Sequence, residues 1–164
     1  MQPRFLVACL KKCEEIGIHT AIETCGFVKW SVLERMLPYI DLFLYDVKHM
    51  DSGKHEEFTG VGNDLILQNL RRISQKGKPI WIRIPLISGF NDSEGNFHQV
   101  AEFVKPLRGV EKVCLLPYNQ AAGAKYQFIG KKYGLEHLVP HSKEEMEAFV
   151  EIFSCLSVKV ELGR

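Results

Sequence analysis

Apolar positions recur along the chain in two alternating rhythms, one helical and one extended. Phe5, Leu6, Cys9, Leu10, Cys13 and Ile16 repeat at helical spacing behind Pro3, which suits a first helical turn, until Gly17 stops the run. Residues 18–23 read as a short strand and Thr24-Cys25-Gly26 as a turn. Ser31 stands where it would cap a helix carrying Val32, Leu33, Met36 and Leu37, which Pro38 closes. Residues 41–47 form a second strand, and Asn63 or Asp64 caps a helix with Leu65, Leu67, Leu70 and Ile73 inside, ended near Gly77. Residues 79–87 are β-branched and apolar, as a strand covered on both faces should be. After a loop at 89–92 comes a helix carrying Phe97, Val100, Phe103 and Val104. Residues 113–116 are a fourth strand, running into Pro117-Tyr118-Asn119-Gln120 and a loop of small residues. Ser142-Lys143-Glu144-Glu145 is a capping box opening a helix with Met146, Phe149, Ile152 and Phe153, and 158–162 is the last strand. Strands alternating with helices predict right-handed βαβ units and a parallel sheet, an α/β fold.

The totals narrow the class. The chain has 164 residues, which fits one domain, and 46% apolar residues supply a core. A net charge of +1, with no basic run and no aromatic stacking series, argues against nucleic acid. No apolar stretch approaches the roughly 18 residues that cross a bilayer. The first residues lack the apolar core of a signal peptide. Five cysteines, an odd number without framework spacing, fit a reducing, cytoplasmic setting better than a disulfide scaffold. No internal repeat or linker divides the sequence.

Candidate chemistry collects at strand ends. Asp46 and Lys48 alternate on the second strand, so they share a face at its carboxyl end, where α/β sheets and barrels bind ligands. A surface ion pair is the plain alternative. Glu23 and Thr24 end the first strand and Asn119 and Gln120 follow the fourth, while Arg83 interrupts the apolar third. Together they describe a mouth for a charged ligand; otherwise Arg83 makes a buried ion pair with Asp46 or Glu23, since an unpaired guanidinium there is costly. Gly60-Val61-Gly62 could offer amides to an anion but reads first as a turn and cap. Cys9 and Cys13 lie four apart on the first helix, but Ile16 stands where a third thiolate would follow. His49, His55, His98, His137 and His141 are scattered, and no pair shows the spacing of a zinc-binding helix. Lys48 could also serve as a Schiff-base lysine, as in barrel aldolases.

Four ordered blocks stand out: residues 20–28 (Thr-Ala-Ile-Glu-Thr-Cys-Gly-Phe-Val), 44–51 with His55, Thr59-Gly60 and Asn63, 82–87 with Gly89, Asn91 and Asp92, and 115–118 followed by Lys125-Tyr126. Together they resemble the glycyl-radical-enzyme activating enzymes, pyruvate formate-lyase activating enzyme among them, of the radical S-adenosylmethionine family. The resemblance covers nearly the whole chain. It implies a partial (β/α)6 TIM-like barrel in which three cysteines of a C-x3-C-x2-C run bind a [4Fe-4S] cluster. S-adenosylmethionine is cleaved reductively there, and the resulting radical abstracts hydrogen from a glycine of a partner enzyme. By the same resemblance Asp46, Lys48, Arg83 and Asn119 hold the cofactor. Glu23, Thr24, the Leu44 carbonyl and Asp46 surround a monovalent cation. The glycine loop of a glycyl radical enzyme is the implied partner, and flavodoxin or ferredoxin the implied electron donor.

The chain departs from that pattern. Glu23 replaces an aspartate, Asn119 replaces a histidine found in some members, and neither the cluster motif nor the Gly-Gly-Glu-Pro turn is present. Met1-Gln2-Pro3-Arg4-Phe5-Leu6 looks like the segment that follows that turn, entered midway. The expectation is therefore the C-terminal part of such a barrel, residues 1–164 as one domain, lacking the first two strands and inactive alone. The edge strand would then be bare and would favour a homodimer. A non-catalytic homologue that binds a partner enzyme is the alternative, with Asp51 and His55 on the loop after the second strand as partner contacts.

Overall fold

The computed structural model describes residues 2–119, 122–135 and 137–163. Five strands, β1 (Ala21–Thr24), β2 (Leu42–Asp46), β3 (Ile80–Pro85), β4 (Val110–Leu116) and β5 (Lys159–Leu162), form one parallel sheet in sequential order. Helix α1 (Pro3–Glu15) precedes β1 and α2 (Trp30–Met36) follows it. Helices α3 (Ser52–Thr59) and α4 (Asp64–Gln75) link β2 to β3, and α5 (Glu94–Val104) links β3 to β4. Helices α6 (Ala122–Phe128) and α7 (Lys143–Ile152) stand between β4 and β5. This is the α/β architecture with parallel strands that the sequence predicted.

The two faces of the sheet have opposite characters. Phe43, Tyr45, Ile80, Ile82, Ile84, Val113 and Leu115 are wholly buried and make one core with Ile66, Leu70 and Ile73 of α4, Phe97 and Val100 of α5, and Met146 of α7. Each such side chain contributes about 1.5–3 kcal/mol by leaving water. On the other face the register places charged and polar residues side by side. Asp46, Arg83, Cys114 and Glu161 form one row across β2 to β5. Glu23, Leu44, Trp81, Lys112 and Lys159 form the row beneath it across all five strands. The expectation that the third strand is covered on both faces is thus corrected. In β3 buried residues alternate with half-buried Trp81, Arg83 and Pro85, because the core helices pack on the side of Ile80, Ile82 and Ile84.

Local boundaries moved for identifiable reasons. Residues 18–20 are not strand, because the Thr20 amide donates to Asp41 Oδ2 (2.7 Å) and its hydroxyl to the Tyr39 carbonyl (2.7 Å). Ser31 lies inside α2, whose N-cap is Lys29. Asn63 occupies the N-cap position of α4 without a side-chain cap bond. The polar segment after β2 contains α3, capped by Asp51 accepting from the Lys54 amide (2.9 Å) and ended by Gly60 in the left-handed region (φ 80°). Gly60 is therefore a helix terminator, as the turn-and-cap reading held. The loop expected after β4 contains α6. The capping box at Ser142 and Glu145 is formed as predicted.

Candidate functional site

The carboxyl ends of β1, β2 and β3 carry a continuous chain of ion pairs. Arg83 sits on β3, with Asp46 on β2 between it and Glu23 on β1. Its Nη2 donates to Glu23 Oε1 (2.7 Å) and its Nε to Asp46 Oδ1 (3.1 Å). Lys48 Nζ donates to the other Asp46 oxygen (2.9 Å). Asp46 and Arg83 are largely enclosed, with side chains 14% and 18% exposed, whereas Glu23 is 62% exposed. The hydrogen bond from Arg83 holds the Glu23 carboxyl below the usual carboxylate range against the opposing effect of burial, and the charges of Lys48 and Lys125 add to it. Both partners foreseen for Arg83 are engaged at once, and charge-assisted bonds of this kind fix three strands in one register.

The remaining expected residues are arranged differently. Leu44 neighbours Glu23 across the β1–β2 ladder. The Thr24 hydroxyl is turned toward the next loop, where it accepts from the Gly26 amide (2.9 Å). Asn119 is exposed beyond the end of β4, at the same end of the sheet, and Gln120 lies outside the described residues. Of the two candidate partner contacts, Asp51 is exposed and caps α3. His55 lies within α3 rather than on a loop and is 2% exposed, with its Nδ1 2.7 Å from the Val61 carbonyl.

What the sequence reasoning missed is the support beneath this mouth, built from buried asparagines. Asn91 Nδ2 donates to the carbonyls of Lys48 (2.8 Å) and Pro85 (2.7 Å), while its oxygen accepts from the Ile87 amide (2.9 Å). Asn63 Nδ2 donates to the carbonyls of His49 and Met50, both at 2.8 Å. Asn96 accepts from the Met50 amide (3.0 Å) and donates to the Asn91 carbonyl (2.9 Å). His49 Nδ1 accepts from the Asp51 amide (2.9 Å), so its proton sits on Nε2; burial, chiefly, lowers the His49 pKa and favours this neutral form. The loop from Lys48 to Asp51 is thus held through its backbone by side chains from three other segments. Asn69 performs the same service after β1, donating to the carbonyls of Gly26 (2.8 Å) and Val28 (2.7 Å). Gly26 is required there: its φ is +72°, and a Cβ would overlap the Tyr45 hydroxyl.

A second charged group lies further along the same face. Glu161 pairs with Lys112 and with Lys159 (2.7 Å), and these lysines push its carboxyl down to about 2. Lys112 also lies over the Trp81 ring (3.7 Å to the centroid). The Cys114 thiol donates to Glu161 at 3.6 Å.

Residues 1–102 match the family described as the Radical SAM superfamily. The chain belongs to that superfamily. Over 161 residues it is 42% identical to the trans-4-hydroxy-L-proline dehydratase activating enzyme of Clostridioides difficile, a match covering 97% of this chain and 53% of that protein. Over 139 residues it is 43% identical to the choline trimethylamine-lyase activating enzyme of Oleidesulfovibrio alaskensis, covering 83% and 45%. The crystal structure of a domain of pyruvate-formate lyase-activating enzyme from Bacteroides vulgatus ATCC 8482 superposes with a TM-score of 0.83 at 33% identity, covering 99% of this chain and 91% of that one. This radical SAM chain therefore falls with the glycyl-radical-enzyme activating enzymes and spans about half the length of the curated relatives it matches.

Full-length radical SAM enzymes of this kind use S-adenosylmethionine and a [4Fe-4S] cluster. The thiols described here do not gather for a cluster. Cys9 is exposed on α1, Cys13 is half-buried on the same helix, and Cys25 follows β1. Among the described residues no three His, Cys, Asp or Glu side chains could hold a metal ion. The described helices include none long and apolar enough to cross a membrane.

Proposed function

We propose that this chain is the cofactor-facing part of an enzyme that installs a glycyl radical on a partner protein. The observation that carries the reading is the ion-pair chain Glu23–Arg83–Asp46–Lys48 at the carboxyl ends of adjacent strands, in a member of the radical SAM superfamily. Its chemistry suits the amino-acid end of S-adenosylmethionine. Asp46 can accept from an ammonium, and Lys48 and Arg83 can donate to a carboxylate. Asn119 adds an uncharged donor and acceptor at the rim. When bound beside a reduced cluster, S-adenosylmethionine supplies the radical that takes hydrogen from glycine. The C-x3-C-x2-C run for that cluster does not occur in these 164 residues, so on this reading the chain alone binds and orients without driving radical chemistry. A glycyl radical enzyme offering its glycine loop is the partner, and an electron donor of the flavodoxin or ferredoxin kind serves the whole enzyme.

The sequence carries no C-x3-C-x2-C run, which leaves a second reading, a partner-binding homologue without catalysis. A Schiff-base role for Lys48 has little support, because amine nucleophiles are activated by apolar surroundings or neighbouring cations, and Lys48 instead pairs with Asp46. Titration calorimetry with S-adenosylmethionine separates the readings. Binding is expected, and Asp46→Asn or Lys48→Ala should weaken it at least about tenfold. No heat from the wild type, with a glycyl radical enzyme still captured by the chain, would leave only the partner-binding reading.

A further inference from the structure

We infer that His141 is a positioning residue for the Lys48 side of the candidate site, acting through Asp92 and the loop after β3. S-adenosylmethionine as the ligand rests on the function proposed above; the positioning itself rests on hydrogen bonds. His141 immediately precedes Ser142, the N-cap of α7, and its Nε2 lies 3.0 Å from Asp92 Oδ2, 49 positions earlier in the chain. The Asp92 carboxylate also accepts from the Gly89 amide, at 3.0 and 3.2 Å, which closes the turn between them. Within that turn Asn91 donates to the Lys48 carbonyl (2.8 Å). The Asn91 carbonyl accepts from Asn96, whose side-chain oxygen takes the Met50 amide. Among the described residues, His141 is the side chain that ties Asp92 to a segment outside its own loop.

Burial pushes the Asp92 carboxyl up, but the hydrogen bonds from His141 and the Gly89 amide outweigh it and hold the group below the usual carboxylate range. An ionised carboxylate only accepts, so the shared proton sits on His141 Nε2. The imidazole is 5% exposed and stands edge-on to Phe149 of α7, 5.2 Å between centroids. Its Nδ1 is buried with no hydrogen-bond partner among the described residues. Packing against Phe149 alone would favour an apolar side chain, since an unpartnered buried nitrogen is destabilising. What the imidazole adds is the bond to Asp92. That bond joins the start of α7 to the turn that holds the Lys48 backbone. Lys48 Nζ in turn meets Asp46 (2.9 Å), so the place of the ammonium depends on a loop fastened from the C-terminal part of the chain.

Amide hydrogen exchange, read by NMR on the 164-residue chain, tests the positioning without any cofactor. In His141→Phe the Gly89 and Met50 amides are expected to exchange at least about tenfold faster than in the wild type, as the loss of one charge-assisted hydrogen bond predicts. Core amides such as those of Leu70 and Ile82 are expected to keep their rates, because only the loop is released. His141→Gln, whose amide nitrogen stands near the place of Nε2, is expected to bring the loop rates back to within about threefold of the wild type. Titration with S-adenosylmethionine is expected to follow the same order, with the affinity of His141→Phe reduced at least about threefold and that of His141→Gln recovered. Should His141→Phe not fold, Asp92→Asn exchanges the carboxylate for a neutral acceptor and carries the same expectations for Met50 and for the affinity. Core amides that accelerate in step with the loop would make His141 a merely structural residue and overturn the inference. Unchanged loop amides, or an unchanged affinity, would overturn it as well. A wild type that binds no S-adenosylmethionine would remove the cofactor reading instead, while the exchange pattern still decides whether His141 holds the loop.

Discussion

At the scale of single residues, the buried amides do work that no acid could replace. Asn91 is wholly buried and donates to two carbonyls while accepting from one amide. Asn91→Asp keeps the shape but sets a carboxylate against the Lys48 and Pro85 carbonyls. An unsatisfied buried group costs about 1–3 kcal/mol, so urea unfolding is expected to show a loss of at least that order. A change within about 0.5 kcal/mol, the range of an ordinary surface substitution, would discard the clamp. Asn63 and Asn91 stood inside quoted sequence blocks, but their role was not readable. Asn96 and Asn69 lie outside those blocks. The Asn96 partner at Met50 lies 46 positions away, and the Asn69 partners at Gly26 and Val28 lie 43 and 41 away. Their one local signal is an asparagine within an amphipathic helix, a residue type that favours caps and turns.

At the scale of elements, the strands were legible where alternation was strong. Arg83 inside an apolar run announced a polar position, but the whole row around it emerged only from the strand register. Helix α3 escaped because its only buried residue is His55, so it has no apolar stripe to find. The β4–β5 pair supplies a pH test. The Glu161 carboxyl is lowered from 4.5 to about 2, first by the hydrogen bonds from Lys112 and Lys159. A depressed carboxylate stabilises the fold above its unfolded value and loses that contribution as pH falls through its folded value. The stability gap between wild type and Glu161→Gln is therefore expected to be full above about pH 4.5 and to close toward pH 2. Acid-titrated thermal melts read this directly, and a gap that persists at the acid end would refute the pairing.

At the scale of the whole molecule, β1 ends the sheet with one neighbour, and its residues alternate between exposed and half-buried. Phe5 and Ile16 of α1 and its C-cap, and Ile18 before β1, are each more than half exposed. A parallel edge beside apolar side chains is a template for association. Light scattering over a concentration series is expected to show molar mass rising above that of the monomer. A constant monomer mass would remove the proposal.

Length, alternation and punctuation were enough to determine an α/β fold with parallel strands, because helix and strand periods are local properties of the chain. The polar residues at strand ends were equally visible, since a strand's carboxyl end is set by where its apolar run stops. Tertiary structure alone decided that Arg83 bridges Glu23 and Asp46, and that one sheet face is apolar while the other carries rows of charge. It also decided that asparagines distant in sequence hold the site loop. Those features depend on register and on partners far along the chain, and the local spacing of residues carries no information about either.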